Sequence, residues 1–240
     1  MRRIDAGREG ARVGHWEEVR ERQRDDIASA IITAVCRGTS ELVTVTEIVD
    51  TAGISRKTFY KYFASLGEAM AYTQQRVVRE ISRHADRGEG RAENGRERFL
   101  RALENVSVVA AEHPDLIRFV SYFDYTFRER GLDARESHDY ELVNRELRRQ
   151  MAETLVTGQD DGSVRTGIDR DMVITAAGNA LMGLVQRLTM INRAGSGPAG
   201  ASGPALVALE LDVWRTYLTP DAPGSAPAGR EGNSSGMPMT

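Results

Sequence analysis

The stretch from Thr44 to Phe63, TVTEIVDTAGISRKTFYKYF, holds Lys57 and Lys61, the only two lysines of the 240-residue chain. Both lie in a run from Thr51 to Gly67 that has no acidic residue, although the formal net charge of the whole chain is −3. Thr44 and Glu47 have the capping-box spacing S/T-x-x-E, so a helix is expected to begin at Val45. Ile48, Val49 and Ala52 give it one apolar face. Gly53 ends it, because glycine takes a positive φ without steric penalty. Ile54 plugs the turn, and Ser55 caps a second short helix through Lys61 with Phe59 and Phe63 on its inner face. Helix, tight glycine turn and short helix form the helix-turn-helix pattern.

The chemistry of that pattern explains the lysines. The second helix must enter a major groove about 12 Å wide and present donors, not carboxylates, to bases and phosphates. Arg56, Lys57, Thr58, Tyr60, Lys61 and Tyr62 supply such a face. The acidic total charge excludes a globally basic nucleic-acid binder and leaves room for this local patch. A solvated helix face is the plain alternative for the cations, and half-buried core positions are the alternative for Tyr60 and Tyr62.

Outward from this stretch the chain reads as helical throughout. Residues 1–15 are glycine-rich and charged, and read as a mobile arm. Ile27, Ala30, Ile31, Ala34 and Val35 mark one face of a first helix from about Trp16 to Arg37. Ser65 and Glu68 form another capping box and open a long helix through about Arg87. Further helices are expected before His113, from Pro114 to about Gly131, from about His138 to Val156, from Met172 to Ile191 and from Leu206 to Leu218. No segment has period-2 alternation bounded by hairpin turns. The expected class is all-α with about nine helices. It comprises an N-terminal helix-turn-helix domain (16–66), a helical domain (67–218) and a Pro/Gly/Ser-rich, disordered tail (219–240).

Several chemistries find no support. Cys36, the lone cysteine, cannot pair internally and reads as a buried inert thiol. The four histidines have no metal spacing, and neither a nucleophile elbow nor a P-loop is present. Gly195–Gly200 spells G-x-G-x-x-G, but a helix precedes it and Pro198 interrupts it, so it reads as a flexible linker. No enzyme, cofactor or metal is expected. With no signal peptide and no apolar run of membrane-spanning length, a cytoplasmic protein without a membrane partner is expected.

Residues 44–63, followed by a long helix, resemble the DNA-binding region of the tetracycline-repressor (TetR) family. Thr44, Glu47, Ile48, Ala52, Gly53, Ile54, Ser55, Thr58, Phe59, Tyr60, Tyr62 and Phe63 carry the resemblance. It implies a homodimeric regulator that binds double-stranded operator DNA and is released by a small-molecule effector. Thr46, Arg56, Lys57 and Tyr60 would reach bases; Thr44, Thr58, Lys61 and Tyr62 would hold phosphates; Ser55 belongs to the same set. Family members often place a phosphate-binding lysine near the start of the fourth helix, where this chain has Leu66-Gly67. That departure motivates an alternative, a helical ligand-binding or interaction module that has lost DNA binding.

The resemblance also places a ligand cavity among the central helices. The aromatic cluster from Phe119 to Phe127 is too dense for one helix face, and divides between core and cavity. Asn105, Tyr122, Phe123, Phe127 and Asn144 are the expected effector contacts. The helix from Met172 has an apolar surface wider than one stripe, so one side can face the core and the other a twofold partner. Leu181, Leu184, Val185 and Leu188, with Trp214 and Tyr217 as aromatic anchors, are the expected dimer contacts.

Overall fold

The computed structural model describes residues 5–37, 42–85, 94–128, 134–194 and 202–221. These contain nine α-helices and no strand. They are α1 (Asp5–Arg37), α2 (Val45–Ala52), α3 (Arg56–Tyr62), α4 (Leu66–Ala85) and α5 (Gly95–Glu112), then α6 (Pro114–Phe123), α7 (Ala134–Asp160), α8 (Arg170–Ala194) and α9 (Gly203–Leu218). A π-helical turn, Asp124–Arg128, extends α6. The G-x-G-x-x-G stretch from Gly195 lies outside the described residues.

The arm expected over residues 1–15 is helical from Asp5 onward, as the start of α1. Once a helix is nucleated, each further residue adds a hydrogen bond. The glycines at 7, 10 and 14 therefore cost about 1 kcal/mol each without ending it. Of the tail expected over 219–240, Thr219–Asp221 are described and they are tied down. The Thr219 amide donates to Arg215, Arg96 donates to Thr219 Oγ1 at 2.9 Å, and Arg165 pairs with Asp221 at 3.5 Å. Cys36 is half-buried, and its Sγ lies 3.6 Å from the Asp115 carbonyl.

Two apolar cores hold the helices together. The first runs from Ile27 and Ile31 of α1, through Ile48, Phe59 and Phe63, to Met70 and Val77 of α4. It continues without a break into Ile117, Phe119 and Phe123 of α6 and Val185 of α8. The expected division at 66/67 thus coincides with the start of α4, whose buried face belongs to the same core as α1–α3. The second core joins Phe99 and Leu103 of α5, Leu155 of α7, Leu181 of α8 and Leu211 and Leu218 of α9.

The start of α5 presses on the end of α7. A Cβ built on Gly95 would lie 2.1 Å from the Gly158 nitrogen and 2.4 Å from the Thr154 carbonyl oxygen. Only a residue without a side chain allows this crossing. It is fixed by the Gly95 amide, which donates to Asp161 at 2.7 Å, and by the Arg96 amide, which donates to Ser163 at 3.1 Å. The Ser163 hydroxyl, then the Gly95 amide, hold the Asp161 carboxyl below its usual range.

Candidate DNA-binding surface and ligand cavity

The helix-turn-helix is built by local chemistry as the sequence predicts. Thr44 adopts an extended backbone and its Oγ1 accepts from the Glu47 amide at 3.3 Å. Glu47 returns the bond by accepting from the Thr44 amide at 2.7 Å and its hydroxyl at 2.8 Å. The Thr44 amide, with the hydroxyl second, holds the Glu47 carboxyl below its ordinary value. Gly53 closes α2 at φ 64, the left-handed conformation expected of it. Ser55 Oγ accepts from the Thr58 amide at 3.0 Å and shares a 2.9 Å bond with the Thr58 hydroxyl. The hydroxyls of Thr44, Ser55 and Thr58 thus already serve caps that fix the two helices.

Phe59 and Phe63 are buried anchors, with ring centroids 5.8 Å apart. Opposite them Arg56, Lys57, Tyr60 and Lys61 are exposed, and α3 contains no carboxylate. Tyr60 is 52% exposed and stands edge-on to Phe59. Tyr62 and Thr58 are half-buried, while the Lys61 Nζ lies 5.3 Å from the Tyr62 ring centroid. Thr44 and Thr46 are exposed at the start of α2. Leu66, where the family resemblance implies a lysine, is partly buried against the first core.

The end of α3 is braced from behind by contacts that sequence reasoning missed. The Arg24 guanidinium lies 4.6 Å from the Phe63 ring centroid and 4.3 Å from that of Tyr72, and pairs with Glu68 at 3.1 Å. Glu68 also accepts from the Ala64 amide at 2.7 Å, and its own amide donates to Ser65 at 2.9 Å. Tyr72 donates to Asp25 at 2.9 Å. Burial, then the bond to Asp25, push the Tyr72 phenol up to about 12. These ties clamp α1 to α4 across 44 and 47 residues of sequence.

A cavity of about 480 Å³ lies among α4, α5, α6, α7 and α8, within the size range of small-molecule sites. Val78, Ile81, Leu103, Val106, Leu147 and Met182 are among its apolar walls, and Gln74, Arg98, Arg101, Asp124 and Asn144 among its polar ones. A groove of about 530 Å³ lies between α5, α8 and α9.

Of the expected effector contacts, Asn144 lines the cavity and Asn105 does not. Phe123 is fully buried in the first core, 6.2 Å from Phe119 between ring centroids, so it is core and not cavity wall. The aromatic density misled because the π-turn, not a cavity, redistributes the residues after Phe123; Tyr125 there is 77% exposed. Phe127 has its side chain outside the described residues. Tyr122 does not wall the cavity either: its hydroxyl accepts from the Val43 amide at 2.8 Å, joining α6 to the entry of α2. Gln74, Arg98 and Arg101 were legible only as polar positions on otherwise apolar helix faces.

On α8, Leu181 and Val185 are closed off inside the cores, and Leu184 and Leu188 are half-buried against the second one. The outward stripe is instead Met172, Ala176, Ala180, Gly183 and Met190. A wide apolar helix does not announce which face turns inward, which is why the expected contacts fell on the core side. On α9, Leu209 and Val213 are exposed. Trp214 is half-buried and donates to Glu210 at 2.8 Å, whereas Tyr217 is 45% exposed and meets Trp214 edge-on. Among the described residues no helix is long and apolar enough to cross a membrane.

A capped helix-turn-helix backed by a helical domain with an internal cavity defines the architecture of TetR-family transcriptional regulators, and this chain has that fold. Solved structures similar to it include a TetR-family regulator from Marinobacter aquaeolei VT8 (16% identity, 85% of this chain and 98% of that one, TM-score 0.58). The fatty acid degradation regulator FadR from Bacillus halodurans is another (14% identity, 80% and 94%, TM-score 0.63). A third is the regulator FadR from Bacillus subtilis, in complex with stearoyl-CoA (13% identity, 80% and 98%, TM-score 0.59). No protein-family profile and no curated protein matches the chain.

Proposed function

We propose that the protein is a ligand-responsive, homodimeric transcriptional repressor. The observation that carries this is the surface of α3: Arg56, Lys57, Tyr60 and Lys61 exposed together on a helix without carboxylates, held by two phenylalanine anchors. Thr46, Arg56, Lys57 and Tyr60 read bases. Lys61 and Tyr62 hold phosphates, with Thr44, Ser55 and Thr58 fixing the frame around them. One short helix reads too few bases for specificity, so two copies read a near-palindrome with half-sites about one helical turn apart or a multiple of it. The outward stripes of α8 and α9, with Met172, Met190, Leu209, Val213 and Tyr217, are the proposed twofold contact. The central cavity takes the effector, a reading supported by the likeness to a regulator solved with stearoyl-CoA. Effector binding favours a conformer whose reading helices no longer match the half-site spacing.

The test is a gel shift with promoter fragments of the gene and its neighbours at graded salt. Lys57→Ala is expected to relax base preference at one position at a cost of about 1–3 kcal/mol. Lys61→Ala is expected to weaken all sequences alike and lower the salt slope by about one. Absence of any salt-dependent shift would favour the alternative, a ligand-binding module without DNA binding, for which the packed Leu66 is the motive.

A further inference from the structure

The walls of the central cavity hold a buried acceptor that receives no donor. Gln74 is 2% exposed, and its Oε1 has no hydrogen-bond partner among the described residues. The same residue lines the cavity, on the α4 face that also presents Val78 and Ile81 to it. Its neighbour Thr73, equally buried, has solved the same problem by returning its hydroxyl to the Ala69 carbonyl at 2.8 Å. A buried amide oxygen left unmatched is costly, and native proteins rarely tolerate one without a use for it. An apolar side chain would pack the same wall without that cost. The orphan oxygen is therefore informative about what enters the cavity.

We propose that the effector is an apolar small molecule carrying a hydroxyl or N–H group, and that this group donates to Gln74 Oε1 in the bound state. The proposal rests on the reading of the cavity as the effector site, and adds the ligand's chemistry to it. The apolar walls, with Val78, Ile81, Leu103, Val106, Leu147 and Met182 among them, match a ligand whose body is hydrocarbon or aromatic. One donor at Gln74 then sets its orientation, because a site with a buried acceptor disfavours any analogue that leaves that acceptor unmet. Gln74 lies on α4, whose first turns pack into the same core as Phe59 and Phe63. The proposed bond therefore falls on the helix that backs the DNA reader.

The test uses the full chain and three matched probe series: 4-alkylphenols, their methyl ethers and the parent alkylbenzenes. The ether keeps the oxygen and loses the donor; the alkylbenzene loses both. Calorimetry or ligand-induced thermal shift gives the affinities. The best phenol is expected to bind about tenfold or more tightly over its ether and its alkylbenzene, the effect of one satisfied buried bond. In Gln74→Leu, and in the closer-shaped Gln74→Met, that preference is expected to collapse toward onefold, with no fall in the ligand-free melting midpoint. Equal binding of phenols and ethers, a phenol preference that survives in both variants, or no binding by any phenol would each overturn the proposal. A parallel gel shift separates it from the functional reading. Phenols that bind through Gln74 yet leave the operator complex intact support the ligand chemistry and refute the effector role. Release by phenols and ethers alike would support the effector role and overturn the donor assignment.

Discussion

Replacing Tyr122 by phenylalanine would remove one oxygen atom and keep the ring that packs against the first core. The lost atom is the acceptor for the Val43 amide at 2.8 Å, and Val43 is 6% exposed. Water has little access to the stranded amide, so its desolvation is not returned. A buried donor deprived of its partner costs about 1–3 kcal/mol. In a chain of this length each kcal/mol lowers the melting midpoint by about 2–4 °C. Stability of folded domains is about 5–15 kcal/mol, so the variant remains almost wholly folded at 25 °C. Any change in operator affinity at that temperature is then a change in the folded state. Val43 directly precedes the cap residue Thr44, so loosening it frees the entry of α2. Operator binding is expected to weaken severalfold, alongside the thermal loss. Circular dichroism melts and gel shifts on the same preparation measure both. An unchanged midpoint with unchanged operator affinity would refute the role given to this bond.

Other perturbations follow from packing and from charge. Gly95→Ala drives a methyl group into the backbone of α7, which cannot yield as a flexible side chain would. A loss of about 3 kcal/mol or more is expected, and a melting midpoint within 2 °C of the wild type, about the effect of 1 kcal/mol or less, would show that the helices separate freely. Phe123→Ala is expected to cost about 3–5 kcal/mol of stability as a core truncation, with operator binding falling in parallel as the fold is lost. A stable variant with altered effector response alone would restore Phe123 to the cavity. Tyr72 is held neutral in the folded chain up to about 12 against an ordinary 10.0. Its contribution to stability is therefore complete below pH 10 and lost as pH rises toward 12. Denaturant midpoints of wild type and Tyr72→Phe, compared over that window, should converge or cross in the direction of wild-type loss. A constant difference would mean that Tyr72 titrates normally.

The parts of the molecule that the sequence made legible are those built from near neighbours. The caps at Thr44 and Ser55, the Gly53 turn and the Phe59/Phe63 pair all act within four residues, so spacing alone reveals them. The cavity was not legible in this way, because its walls come from five helices, and of its lining only the polar positions Asp124 and Asn144 were anticipated. Phe123 was misplaced for the same reason: burial depends on which helix packs opposite, and aromatic density does not report that. The Tyr122–Val43 bond joins residues 79 apart, and Arg24 reaches Glu68 across 44. On α8 the apolar residues were recognised, but which of them turn inward was not, since both faces are apolar: Leu181 and Val185 are buried, Leu184 and Leu188 half-buried.

The first core passes from α1 through α4 into α6 with no seam at residue 66. The helix-turn-helix segment is consequently not a portable cartridge. A chimaera that grafts residues 16–66 onto a different receiver would cut through Met70, Val77 and Phe119, and would need those positions recreated in the new host. Variation in what the protein reads is cheapest at the exposed positions of α3, where a change disturbs no shared packing. Variation in the cavity is constrained differently: Ile81, a wall residue of α4, also belongs to the core that supports α3. Substitutions on the exposed face of α3 and substitutions at Ile81 should accordingly be tolerated to different degrees, the first freely and the second sparingly.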